Sequence, residues 1–181
     1  MGKGPDQDLR DARNGREAAF LRLFDDHHLP LYRFAWRLTG STADAEDIVQ
    51  ECFLALLRPG CGFDPARTSL RTYLFGAVRN QALNRLRRHE QVLKHDSLDN
   101  HTPETQALRD ELAGAVAAAI AELPESQREV LLLAHYEQLS LAEIAEITEL
   151  EVTAVKSRLQ RARATLRETL ATYAPRTERA I

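Results

Sequence analysis

The chain has 181 residues, 44% of them hydrophobic and 28% charged, with a formal net charge of −3. That length supports one large domain or two small ones with real cores, and the mild acidity excludes a protein that is basic throughout, although charge can still be segregated along the chain. Cys52 and Cys61 match neither a paired-thiol motif nor a zinc knuckle, no apolar run spans a bilayer, and the start carries no signal-peptide core, so a reducing, cytoplasmic setting is expected.

Residues 1–15, with Gly2, Gly4, Pro5 and Gly15 and no helical period, read as a disordered N-terminal arm. Phe20, Leu21, Phe24, Leu31, Phe34, Ala35 and Leu38 then form a helical stripe, with Pro30 opening a second segment and Gly40 closing it. Ser41 caps the next helix, whose Ala45, Ile48, Val49, Cys52, Phe53, Leu56 and Leu57 share one side and should be buried. Asp44, Asp47 and Glu51 fall in one narrow sector away from that side, with Gln50 and Leu54 beside them and no Lys or Arg among them. Such a face repels DNA and suits a basic protein surface; a simple solvated face is the alternative.

Pro59, Gly60, Gly62 and Pro65 make a loop that lacks the glycine pattern of a phosphate cradle. Helical period returns from Ser69 to about Arg88 through Leu70, Leu74, Val78, Ala82 and Leu86. Arg79, Asn80, Asn84, Arg85, Arg87 and Arg88 decorate its tail, and Tyr73 and Phe75 lie near its beginning. Cations and bidentate amides near aromatics suit phosphates and unstacked bases; an arginine-rich end complementing the helix dipole is the plainer alternative. Residues 91–107, polar and interrupted by Pro103, read as an interdomain linker. His89, His95 and His101 recur every six residues, which is no helical ligand pair, and no metal site, cofactor motif or catalytic constellation is found elsewhere.

A second helical set begins near Leu108, stops at Pro124 and resumes where Ser126 and Glu129 have capping-box spacing. Ser140 can cap a short helix, and a longer basic helix follows, the order of a helix-turn-helix. Val152, Val155, Leu159, Ala162 and Leu166 supply its buried stripe, while Thr153, Ser157 and Gln160 point outward, flanked by Lys156 and Arg161, with Arg158, Arg163 and Arg167 nearer the sides. The outward set can read base edges and neutralise phosphates; a hairpin with a solvated basic face is the alternative. Glu149 occupies the turn position where glycine is common.

Taken together, DAEDIVQECFLAL, TSLRTYLFGAVRNQALNRLRR and LPESQREVLLLAHYEQLSLAEIAEITELEVTAVKSRLQRARATL resemble, in order, regions 2.2, 2.3 with 2.4, and 4 of the extracytoplasmic-function (ECF) sigma factors of the sigma-70 family. The resemblance covers about residues 17–172. It implies an all-α fold of two small helical domains, a region 2 bundle over 16–90 and a region 4 helix-turn-helix over 108–173, joined by a flexible linker over 91–107 and followed by a tail over 174–181. By the same resemblance Asp47, Gln50 and Glu51, with Leu54 beside them, dock on the β′ clamp helices of core RNA polymerase, and the β flap is a further contact. Asn80 and Asn84, with Arg79, Arg85, Arg87, Arg88 and Tyr73, face the minus-ten element; many relatives have tryptophan at the Tyr73 position. Lys156, Ser157, Gln160 and Arg161, beside Thr153, face the minus-thirty-five element, and the acidity of Asp96, Asp99 and Glu104 is compatible with a linker path through the RNA exit region. The implied function is a non-catalytic alternative sigma factor that binds core polymerase and promoter DNA, under control of an anti-sigma factor, without membrane insertion. A stand-alone helix-turn-helix regulator is the second reading, and it leaves the acidic face unexplained.

Overall fold

A computed structural model describes residues 5–93 and 109–173, with the backbone alone at 90–93, 109–112 and 172. The linker residues His95, Asp96, Asp99, His101 and Glu104 and the tail over 174–181 lie outside the described residues. Among the described residues the regular structure is entirely helical.

The first domain comprises α1 (Pro5–Arg13), α2 (Glu17–Thr39), α3 (Thr42–Leu57) and α4 (Leu70–Leu93). Helix α1 corrects the expectation of a disordered arm. Its Leu9 and Ala12 are buried where it packs on α2 and α3. Its buried Asp8 and Asp11 meet Arg22 at 2.6 Å and Arg16 at 2.9 Å. The cations that make this short helix tenable therefore come from the following turn and helix, which a local period cannot register.

Helix α2 also differs from expectation, running unbroken through Pro30 rather than restarting there. It stops at Gly40, whose left-handed backbone (φ 71°) lets its amide return to the Trp36 carbonyl. Ser41 then caps α3 by accepting from the Asp44 amide at 3.2 Å. The buried side of α3 is the expected one, with Ala45, Ile48, Val49, Cys52, Phe53 and Leu56 turned inward. Burial pushes the Cys52 thiol up to about 12, so it stays protonated as an ordinary core residue.

The second domain comprises α5 (Arg109–Ala121), α6 (Glu125–His135), α7 (Leu141–Thr148) and α8 (Val152–Thr169), followed by a single 3-10 turn over Ala171–Tyr173. The capping box expected at Ser126 and Glu129 does not form: α6 starts at Glu125 after Pro124, and Glu129 is a buried ion-pair partner. The reciprocal box forms instead at Ser140 and Glu143, and those hydrogen bonds hold the Glu143 carboxyl below its usual range. Helix α8 buries Val155, Leu159 and Ala162, with Leu166 half-buried, but Val152, expected in the same stripe, is exposed at the first turn.

The helix-turn-helix turn holds Glu149 in the left-handed region, at φ 56° and ψ 38°. A side chain there costs about 1 kcal/mol, so Glu149→Gly should raise the unfolding free energy by up to about 1 kcal/mol in urea titrations; a loss would show that the carboxylate compensates for the strain.

The domains pack on one another, α4 against α7 and α2 against α6. Near this seam burial lowers the pKa of His27 from its ordinary 6.5, with Asp26 opposing the shift and Arg71 adding to it. Because the folded value is depressed, its contribution to stability is complete above 6.5 and is lost as pH falls through the lowered value. Thermal unfolding at pH 7 and pH 5 should therefore show a smaller acid-induced loss for His27→Gln than for the native chain. An unchanged pH difference would place the titrating group elsewhere.

Candidate functional site

The expected polymerase face is open to solvent: Asp47, Gln50, Glu51 and Leu54 are all exposed, Leu54 by 52%. It is not free of cations. Arg85 reaches across from α4, with Nη1 at 2.8 Å from Asp44 and 3.3 Å from Asp47, and Nη2 at 3.2 Å from Glu51. This is a correction on two counts, because Arg85 was expected on the DNA side and the acidic sector was expected to stand alone. One guanidinium facing three carboxylates leaves the cluster net negative, and Asp47 and Glu51 keep side-chain exposures of 62% and 58%. Beside them a groove of about 450 Å³ runs between α2 and α3, lined by Phe24, Tyr32, Val49, Gln50 and Leu54 among others. His28 stacks on Phe24 there with ring centroids 4.5 Å apart. Gln50 and Leu54 thus border both acid and apolar surface, a combination that the sequence showed only as two stripes on separate helices.

The second surface is the arginine-tailed end of α4. Asn80, Asn84, Arg87 and Arg88 are exposed as expected. Arg79 is not: its Nε lies 2.6 Å from Glu129 on α6, and its side chain is 14% exposed. Tyr73 is half-buried, donates its hydroxyl proton to the Cys61 carbonyl and packs on Phe63; burial, the first cause, raises its pKa. Phe75, grouped with Tyr73 by sequence, is instead a core residue edge-on to Phe34. Between Tyr73, Gly76 and Asn80 on α4 and Glu146, Ile147 and Glu149 from the helix-turn-helix lies a cleft of about 320 Å³.

The third surface is α8. Thr153, Lys156, Ser157, Gln160 and Arg161 are all exposed, and the Arg161 guanidinium folds back toward Ser157 at 3.4 Å. Arg158 turns the other way, to Glu129 at 3.4 Å. A separate apolar groove of about 640 Å³ on the same domain is lined by Ile120, Leu131, Tyr136, Leu166 and Leu170 among others. Among the described residues no helix is long and apolar enough to cross a membrane, and no group of His, Cys, Asp and Glu could hold a metal ion.

Residues 23–92 match Sigma-70 region 2 and residues 113–166 match Sigma-70 region 4. The ECF RNA polymerase sigma factor SigL of Mycobacterium tuberculosis is 38% identical over 163 residues, covering 85% of this chain and 90% of the relative. The chain belongs to the ECF RNA polymerase sigma factors. SigW of Bacillus subtilis, of the same family, is 29% identical over 177 residues, covering 90% of this sigma factor and 94% of the relative. Among solved structures, CnrH in complex with the cytosolic domain of CnrY is 29% identical with a TM-score of 0.69, covering 92% of this chain and 97% of that one. The sigma factor RpoE of Bartonella quintana, solved with the anti-sigma factor NepR, has the same fold at 24% identity and a TM-score of 0.69, covering 86% of this chain and 98% of that one.

In this sigma factor, then, α3, α4 and α8 belong to the regions whose motifs the sequence carried, and two expected DNA contacts, Arg79 and Arg85, are held in ion pairs. Arg85→Ala should lower the unfolding free energy by roughly 1 kcal/mol, since it removes the centre of a charge network, whereas the exposed Arg87→Ala should change it by less than about 0.5 kcal/mol. Equal losses in urea titrations would contradict the separate roles assigned to the two arginines.

Proposed function

We propose that this sigma factor docks through Asp47, Gln50, Glu51 and Leu54 on the β′ clamp helices of core RNA polymerase and carries two DNA-reading surfaces to the promoter. The observation that carries the reading is the exposed, net-negative face of α3 bordering an apolar groove, in the same chain as an uncovered basic recognition helix. A basic partner surface adds cations to three carboxylates that share a single arginine, while Leu54 and the groove supply apolar area. The apolar groove of the second domain suits the β flap in the same way.

On the promoter, the amides of Asn80 and Asn84 can bond base edges of an exposed minus-ten strand, while Arg87 and Arg88 neutralise its phosphates. Thr153, Lys156, Ser157, Gln160 and Arg161 enter the major groove at the minus-thirty-five element, where an arginine or lysine suits guanine and a glutamine suits adenine. Bond making belongs to the polymerase, and this chain supplies position and specificity in the cytoplasm. RpoE and CnrH were each solved with a protein partner, NepR and CnrY, and an anti-sigma factor of the same kind would hold this chain inactive.

Core polymerase supplied with this chain should initiate at cognate promoters that core alone ignores. Asp47→Arg with Glu51→Arg should abolish polymerase binding while the helical circular dichroism is retained. Equal transcription by core alone, or undiminished binding by the double variant, would overturn the proposal.

A further inference from the structure

The loop over 58–69 joins the end of α3 to the start of α4, and Tyr73 stands in the first turn of α4 just beyond it. Cys61 sits in this loop between Gly60 and Gly62, both in the left-handed region at φ 74° and 82°. Two glycines around one residue give that stretch of backbone little stiffness of its own, so its position depends on what it is tied to. One tie comes from α1. Arg13 donates from Nε and Nη2 to the Leu56 carbonyl at 3.2 and 3.0 Å, a carbonyl in the last turn of α3, and from Nη2 to the Cys61 sulfur at 2.7 Å. The Cys61 carbonyl in turn accepts from the Tyr73 hydroxyl, and Phe63 packs on the same ring with centroids 5.3 Å apart.

We propose that Arg13 is a positioning residue for the minus-ten face: it fixes Cys61 against the end of α3, and Cys61 fixes the Tyr73 ring at the cleft that a promoter base enters. The inference rests on the sigma reading and brings a residue of α1 into it. Tyr73, Gly76, Ala77 and Asn80 line one side of that cleft at the spacing of a single helix face. A Cβ on Gly76 would meet nothing within 4 Å, so ring and amide stand at the two ends of a bare floor. A base on that floor can lie against the ring while its edge meets the amide. The ring is a fixed wall only while its hydroxyl is held, and the carbonyl that holds it is only as fixed as Cys61.

Arg13 is well placed to set that reference. Burial of Leu9 and Ala12 and the Asp8 pair with Arg22 and Asp11 pair with Arg16 seat α1 on its neighbours. The Arg13 charge is near enough to the Tyr73 hydroxyl to oppose the rise that burial produces in its pKa. Arg13 is itself exposed, so removing its side chain leaves the core intact and separates positioning from folding.

Two readouts on the full chain test this. With 3-fluorotyrosine incorporated, the 19F resonance that disappears in Tyr73→Phe reports the ring without polymerase. It should move or broaden in Arg13→Ala and stay in place in Cys61→Ser, which keeps an acceptor facing Arg13. With core RNA polymerase and a template library randomised at the minus-ten and minus-thirty-five positions, sequenced initiation products should show base preference at one or more minus-ten positions falling roughly fivefold in Arg13→Ala, with the minus-thirty-five preference unchanged. Tyr73→Phe should produce the same change, and the double variant no more than either single one. An unmoved Tyr73 resonance, additive effects, or an equal loss at both elements, as a merely structural role would give, would overturn the proposal. Absence of initiation by the native chain would instead overturn the sigma reading, and the resonance would still decide whether Arg13 holds the ring.

Discussion

The buried carboxylate of Glu129 ties the two halves of this molecule together, with Arg71 and the buried Glu137 as a looser second pair. With 2% of its side chain exposed, Glu129 needs partners in place of the lost water, and it finds a cation in each domain: Arg79 on α4 and Arg158 on α8. Its position fixes α6 against α8 within the second domain and draws α4 toward both. Helix α7 packs against α4 beside that contact, with Glu146 and Glu149 facing Asn80 across a cleft.

The remaining charge is divided by purpose. Arg85, on the same helix as Arg79, faces the opposite neighbour and neutralises one unit of a three-carboxylate cluster, leaving Asp47 and Glu51 at the surface beside an apolar groove. Arg87 and Arg88, on the following turn, stay in solvent, as do Lys156 and Arg161 on α8. Arginines of α4 that looked alike therefore differ in three ways: Arg79 pairs across the domain seam, Arg85 sits in the acidic face, and Arg87 and Arg88 stay in solvent. An acidic face and a basic face can share the α3 and α4 pair because this sorting keeps their signs apart.

Local signals were legible in the sequence because their causes are local. Gly40, Ser41 and the Ser140 cap each act within four residues, and the buried side of α3 follows from period alone. The exposure of Thr153, Lys156, Ser157, Gln160 and Arg161 on α8 was legible for the same reason, since it follows from the opposite, buried stripe. What escaped was pairing across elements. Helix α1 has only two buried apolar residues and depends on Arg16 and Arg22; Arg79 and Arg85 find partners 50 and 41 residues away; Glu129 has the spacing of a cap but lies in the core. The rule that a charge on a helix belongs to solvent or ligand fails where another helix offers its counterion, and periodicity carries no information about that neighbour.

The two domains pack together in the structure, and the proposed function has them reach two promoter elements on core RNA polymerase at once. The most direct measurement is the distance distribution between spin labels at Ala43→Cys on α3 and Glu168→Cys on α8, in a Cys61→Ser background, by pulsed electron paramagnetic resonance. Both sites are exposed and away from the seam, and the buried Cys52 stays unlabelled. A short, narrow distribution in the free chain that shifts to longer distances when core RNA polymerase is added is the expected result. An identical distribution with and without polymerase would contradict it.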